Sequence, residues 1–225
     1  MNFFLVVAAI FSLNSNIVQD HYTAKEVFEK CKTRAAEIDS TLKNKDIEFT
    51  QKIEFQSRGG GDDDLVFNII IKHGKVDRQL ISTTVPNGDR FNGGYDAFDK
   101  MFFLSEYFSE EGKTLTSCEL EKPGCSDCYG INCVFSKTLE KDDPLNTVSA
   151  SLTTNDFTPV RIDERVNGLP LGVEFDDDVN VSYNGNLNIC YPSDIIMRVY
   201  AHLFFLKGEI ATVKIKNENL KNISH

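Results

Sequence analysis

Cys118, Cys125, Cys128 and Cys133 fall within one short stretch, CELEKPGCSDCYGINC. Clustered thiols can cage a metal, run thiol exchange or staple the backbone. A zinc ribbon needs two C-x-x-C pairs, and only Cys125-Ser-Asp-Cys128 has that form, with Cys118 and Cys133 at unequal distances on either side. A thioredoxin-type centre opens a helix after a strand, whereas Pro123-Gly124 and Tyr129-Gly130 mark this stretch as a loop. Which chemistry applies depends on the compartment.

The first residues, MNFFLVVAAIFSLNSNIVQD, address that. A short apolar run, Phe3 to Leu13, precedes small polar residues suited to a signal-peptidase site near Ser15, and it is too short to span a bilayer. We therefore expect a signal peptide over 1–15 and one domain over 16–225, periplasmic or secreted. Both a bacterial envelope and a eukaryotic secretory route stay open, since Asn180-Val-Ser182 and Asn222-Ile-Ser224 are glycosylation sequons. Six cysteines is an even count in an exported chain, which favours disulfides. The expected pairs are Cys118 with Cys133 across the loop base, Cys125 with Cys128 inside it, and Cys31 with Cys190 joining a helix to a distant strand. Four local cysteines also allow other pairings.

Other chemistry is sparse. There is no G-x-S-x-G, H-E-x-x-H, P-loop or post-strand G-x-G-x-x-G, and the four histidines, His21, His73, His202 and His225, are scattered. The acidic runs Asp62 to Asp64 and Asp176 to Asp178 lack the EF-hand spacing and read as solvated turns, so no metal or other cofactor is expected. Inward-facing carboxylates on strands are the one route to an enzyme, a secreted hydrolase with an acidic site. A net charge of −10 with no basic stripe argues against nucleic acid and anionic membranes as partners. A monomer is expected.

The elements that must position any site are legible from periodicity. Thr23-Ala-Lys-Glu26 is a capping box, and Val27, Cys31, Ala35, Ile38 and Leu42 form the apolar stripe of the helix it starts. From Ile47 the period becomes two, with Ile47, Phe49, Ile53 and Phe55 on one parity, interrupted by Gln51. Leu65 to Ile71 alternates again after a glycine turn, and His73-Gly74 turns into a strand from Val76 to Thr84. Tyr95 to Ser109 carries apolar residues at helical spacing, a greasy helix or pair of turns. Beyond the cysteine loop, strands are expected at Ile131 to Leu139, Thr147 to Thr153, Pro159 to Val166, Val173 to Tyr183, Ile195 to Leu206 and Glu209 to Lys216, with turns at Asn167-Gly168 and Lys207-Gly208. Two helices and about nine antiparallel strands without βαβ rhythm predict an α+β domain.

Seventeen phenylalanines and no tryptophan, many on inward parities, supply more apolar face than two helices need cover. A hollow interior and an ordinary core are equally compatible with that pattern.

The order of elements resembles the LolA-like outer-membrane lipoprotein carriers and the wider lipoprotein-sorting superfamily. The likeness rests on DIEFTQKIEFQ and IIIKHGKVDRQLI early in the chain. Later it rests on NTVSASLTTNDFTPVRIDERVNGLP and on the closing YPSDIIMRVYAHLFFLKGEIATVKIKNENLKN. It implies a strongly curved antiparallel sheet forming an unclosed β-barrel with a helical lid. It also implies a non-catalytic carrier of lipoprotein acyl chains or another lipid, exchanging cargo with membrane-bound donor and acceptor proteins. The lining would be Phe49, Ile53, Phe55, Phe67, Ile69, Val160, Ile162, Met197, Val199, Val213 and Ile215, with Phe98, Met101, Phe102 and Phe108 in the lid. The family's latch arginine matches Asp77, so Arg78, one place late, takes that role only if its strand bulges. An envelope sensor or protein-interaction domain, contacting its partner through the cysteine loop at 118–133, is the alternative on the same scaffold.

Overall fold

A computed structural model describes residues 22–58, 62–85, 101–110, 113–122, 128–136, 146–169, 173–203 and 206–223. The expected signal peptide, Phe98, Cys125 and Ser224 lie outside these residues.

Helix α1 spans Ala24–Lys43. Its start is fixed by the capping box: the Glu26 amide donates to the Thr23 hydroxyl, while the Thr23 amide donates to the Glu26 carboxylate at 2.7 Å. The predicted stripe, Val27, Cys31, Ala35, Ile38 and Leu42, is buried as one face. Ten strands follow: β1 Ile47–Ser57, β2 Asp62–Lys72, β3 Lys75–Thr83, β4 Thr114–Glu121, β5 Cys128–Ser136, β6 Asn146–Thr153, β7 Pro159–Leu169, β8 Val173–Asn184, β9 Ile189–Leu203 and β10 Leu206–Asn222. One helical turn, α2 Leu104–Tyr107, lies between β3 and β4.

All strands join one antiparallel sheet in the order β3-β2-β1-β10-β9-β8-β7-β6-β5-β4. The order is a simple meander except that β10 inserts beside β1, which places it between the first hairpins and all the other strands. Strands β3 and β4 are opposite edges of the sheet, so the barrel is unclosed. Helix α1 touches β4 and β5 on one side and β9 on the other, and α2 fits between α1 and β7. A flat sheet would meet α1 equally with the strands between; this one is concave toward the helices.

Two hairpin details follow from backbone chemistry. His73 and Gly74 have φ of 50° and 74°, the pair of positive values a two-residue turn needs to match strand twist. That turn sets Val76 opposite Ile71 and Arg78 opposite Ile69, on the inward parity. Arg78 therefore faces inward without the bulge anticipated for it; the irregularity of β3 comes later, at Ile81.

Several local expectations are corrected. The expected Cys118–Cys133 disulfide is present and joins directly opposed residues of the paired strands β4 and β5, while residues 123–127 lie outside the described residues. Cys128 is also disulfide-bonded. Cys31 and Cys190 are both free thiols. The helix stripe directs Cys31 into the apolar core, whereas Cys190 lies half-buried within the electrostatic reach of Arg34 and Asp156. Asn167-Gly168 is no turn but an irregularity within β7, and Lys207-Gly208 pairs with His202 and Ala201 inside the β9–β10 ladder. Asp176 to Asp178 is strand, not turn, because Asp176 and Asp178 pair with Arg165 and Arg161 on the outer face. Among the described residues, the second helix shrinks to the single turn α2, preceded by a turn at Met101 and Phe102.

Candidate functional site on the concave face

Because every pairing is antiparallel and the side-chain period is two, cross-strand neighbours line up in rows across the sheet. The deepest of three such rows runs Leu65, Ile53, Ile215, Ile195, Val179, Ile162, Ala150 and Ile131, each opposite the next. All eight are buried. This is the core belt of the molecule.

The second row runs Phe55, Val213, Met197, Asp177, Glu164, Val148, Cys133 and Cys118. Two carboxylates interrupt it on the inner face. Asn146 donates its amide to Glu164 at 2.6 Å, and the Lys113 ammonium lies 3.9 Å from the same oxygen and 4.7 Å from the centre of the Phe135 ring. Burial, with the charges of Glu164 and Asp176 beside it, pushes the Asp177 carboxyl up to about 8. Burial also raises Glu164, against the pull of Lys113 and Asn146, and depresses the Lys113 ammonium. Nearby Tyr107 is buried and raised by burial and by both carboxylates. Facing carboxylates in so enclosed a place share protons, and their titration belongs to the pair.

The third row runs Ser57, Ala211, Val199, Phe175, Val166, Asn146, Phe135 and Leu115. Ala211, Val199, Phe175 and Val166 are only half-buried. With Phe55 and Met197 from the row behind, they form a continuous apolar band over β1, β10, β9, β8 and β7.

Residues 101–108, the described part of the segment bridging β3 and β4, occupy the deep part of the concavity. Phe102 stacks on Phe49 with ring centres 4.4 Å apart and planes 11° apart, and Phe103, Leu104 and Phe108 are buried with it. Asp39 of α1 holds this segment: its two carboxylate oxygens accept the Leu104 and Ser105 amides at 2.9 and 2.8 Å. Burial raises the Asp39 carboxyl, partly offset by these hydrogen bonds.

The predicted lining residues are therefore distributed. Phe49, Ile53, Phe67, Ile69, Ile162, Val213 and Ile215 are buried core, and Phe102 and Phe108 cover them. Phe55, Met101, Met197 and Val199 are half-buried, toward solvent. Val160 falls at a bulge, because Arg161 pairs with Ser151 but Pro159 with Leu152. The Arg78 guanidinium stands 5.0 Å from the centre of the Phe67 ring.

No protein-family model matches the chain, and no curated protein does. Among solved structures, the chain aligns with a LolA superfamily protein from Nitrosomonas europaea at 10% identity and a TM-score of 0.43, over 91% of this chain and 95% of that one. A DUF1329 family protein from Desulfovibrio piger aligns at 10% identity and a TM-score of 0.39, over 87% and 93% of the two chains. Both are distant likenesses of overall chain path.

Sequence reasoning missed Asp39, Lys113, Glu164 and Asp177. Strand parity held a signal for one pair: Glu164 shares its parity with Ile162, and Asp177 with Val179. Asp39 carried none, because its partners are backbone amides 65 and 66 residues away. Among the described residues, no group of three or more His, Cys, Asp or Glu is placed to hold a metal ion, and no helix is long and apolar enough to cross a membrane.

Proposed function

We propose that the protein is a non-catalytic carrier or binder of lipoprotein acyl chains or another lipid in an extracytoplasmic compartment. The observation that carries this reading is the half-buried apolar band of Phe55, Val199, Phe175 and Val166, which continues the core belt toward solvent on the same concave face. Each buried CH₂ of an acyl chain is worth about 0.8 kcal/mol, so such a face holds a lipid by area alone, with no reacting group. The band supplies the entry. Deeper accommodation requires the bridging segment to leave, exposing Phe49 and the core row to the cargo. Asp39 is the natural latch for that movement, with Arg78 facing inward from the edge strand as the second.

The test is native mass spectrometry of the exported full-length protein, with Met197→Glu and Val199→Glu compared with wild type. These positions are half-buried, so a charge there is tolerated by the fold, whereas Phe49→Glu or Phe67→Glu would place it in the core. Wild type should carry lipid and both variants should lose it with unchanged circular dichroism. Lipid retained by both variants would sink the assignment of the band.

A second reading has one observation in its favour: Glu164 and Asp177 are directly opposed, inward-facing carboxylates, as an acidic hydrolase requires. Tyr107 and Lys113 stand against the pair. That arrangement suits a buried proton store better than a substrate cleft. Hydrolysis of a glycoside that is lost in both Glu164→Gln and Asp177→Asn would establish this reading instead.

A further inference from the structure

At the rim of the concave face, beyond Ile131 on the inward parity of β5, three aromatic rings meet where the start of α1 passes the β6–β7 turn. Tyr129 and Phe157 are parallel within 7° at 5.4 Å, and Tyr22 stands nearly perpendicular to both, at 80° and 81°. The corner between Tyr22 and Phe157 already holds a cation. The Lys30 ammonium lies 4.9 Å from one ring centre and 5.2 Å from the other. Beside it runs a groove of about 320 Å³ lined by Glu29, Lys30, Thr33, Arg34, Glu37, Asp156 and Phe157.

The backbone under Phe157 is the second observation. Its φ is 58°, a left-handed conformation that a bulky residue rarely adopts and a glycine takes freely. The turn is locked in that shape. The Thr153 amide donates to the Thr158 carbonyl at 2.9 Å, the Thr158 hydroxyl donates to Asp156 at 2.8 Å, and Arg34 of α1 donates to both Asp156 and Thr158 at 3.1 Å. A strained position that nonetheless carries a large ring indicates that the ring has a task.

Charge is the third. The groove lining holds three carboxylates, Glu29, Glu37 and Asp156, against two cations, Lys30 and Arg34. Swinging the exposed Lys30 chain outward leaves three negative charges against one positive. A primary ammonium is strongly hydrated and gives up water to approach a ring face; a quaternary ammonium has no N–H to solvate and is the cation such corners favour.

We infer that the Tyr22–Phe157 corner is a binding site for a quaternary ammonium group, with Lys30 as its tethered, displaceable occupant. The inference is independent of the lipid reading of the concave face. Its test uses the full-length protein and saturation-transfer NMR, with tetramethylammonium and choline as probes and 3,3-dimethylbutan-1-ol as choline's uncharged isostere. Both cations should bind saturably and the isostere clearly less. Lys30→Gln should tighten binding by about two- to fivefold, the size of an exposed cation–π contact. Phe157→Gly should abolish binding while its circular dichroism stays that of wild type, because glycine suits the backbone there. Co-sedimentation with phosphatidylcholine but not phosphatidylglycerol vesicles would make the source a lipid headgroup. Choline binding without co-sedimentation would make it a free cation. The site is refuted if the isostere binds as well as choline, if Phe157→Gly binds like wild type, or if Lys30→Gln shows no saturable binding.

Discussion

Asp177 is an acid whose surroundings oppose the charge it carries in water. Its carboxyl is raised from 3.8 to about 8, so in the folded chain it carries a proton that the unfolded chain has already lost at neutral pH. The sign follows directly. The protonated form favours the folded state, so this contribution is fully favourable below about pH 4 and is lost progressively as pH rises toward 8. Every tenfold gain in proton affinity on folding corresponds to about 1.4 kcal/mol. Asp177→Asn keeps the shape and removes the titration. In urea melts, its stability relative to wild type should improve by several kcal/mol from pH 4 to pH 8.5, with Glu164 absorbing part of the change through the shared proton. A flat difference would mean that Asp177 is solvated and ionised. The same neutral acid sits beside Met197, so ionisation would also make the apolar row less hospitable to a lipid tail.

At the scale of elements, α1 holds the bridging segment through the Asp39 carboxylate, the Lys32–Glu110 ion pair, the Lys43 ammonium over the Phe103 ring and the Phe28–Phe108 contact, and of these only Asp39 binds backbone amides. Asp39→Asn loses a charge-assisted acceptor for one of two amides, a cost of about 1.5–3 kcal/mol for a hydrogen bond to a charged group. Limited proteolysis should then cut within residues 101–110 well before the sheet unfolds, while thermal unfolding of the sheet moves little. Equal protection of wild type and variant would show that aromatic packing and the Lys32 and Lys43 contacts hold the segment without Asp39. What could be read in advance at this scale follows the strength of periodicity. The α1 stripe and the alternation of β1 and β2 were legible because one face of each is buried without interruption. Strand β4 was not: its ladder shifts register between Leu115 and Ser117, and Leu120 on its inward row is exposed at the sheet edge. Strand β8 was expected at Val173 to Tyr183 and is found there, but its three consecutive aspartates also read as a turn, because their Arg161 and Arg165 partners lie on β7. Gln51 looked like a break in β1. It is instead a buried pair, donating its amide to Asn217, which donates in turn to the Pro192 carbonyl.

For the molecule as a whole, the decisive feature is that β1 and β10 are neighbours. Strands β1 to β3 reach the rest of the sheet through β10, and the core belt passes through Ile215 at that junction. Ile215→Asp places a charge in the belt where two halves meet. It should abolish cooperative unfolding, seen as loss of a single sigmoidal transition by circular dichroism, whereas the same change at exposed Ile81 should leave the transition intact. An ordering in which the earliest strands wait for the latest one also governs biogenesis. A nascent chain paused on the ribosome before residues 206–222 emerge cannot join β1 to β9. Until β10 arrives, the three strands at one end and the six at the other have no ladder between them.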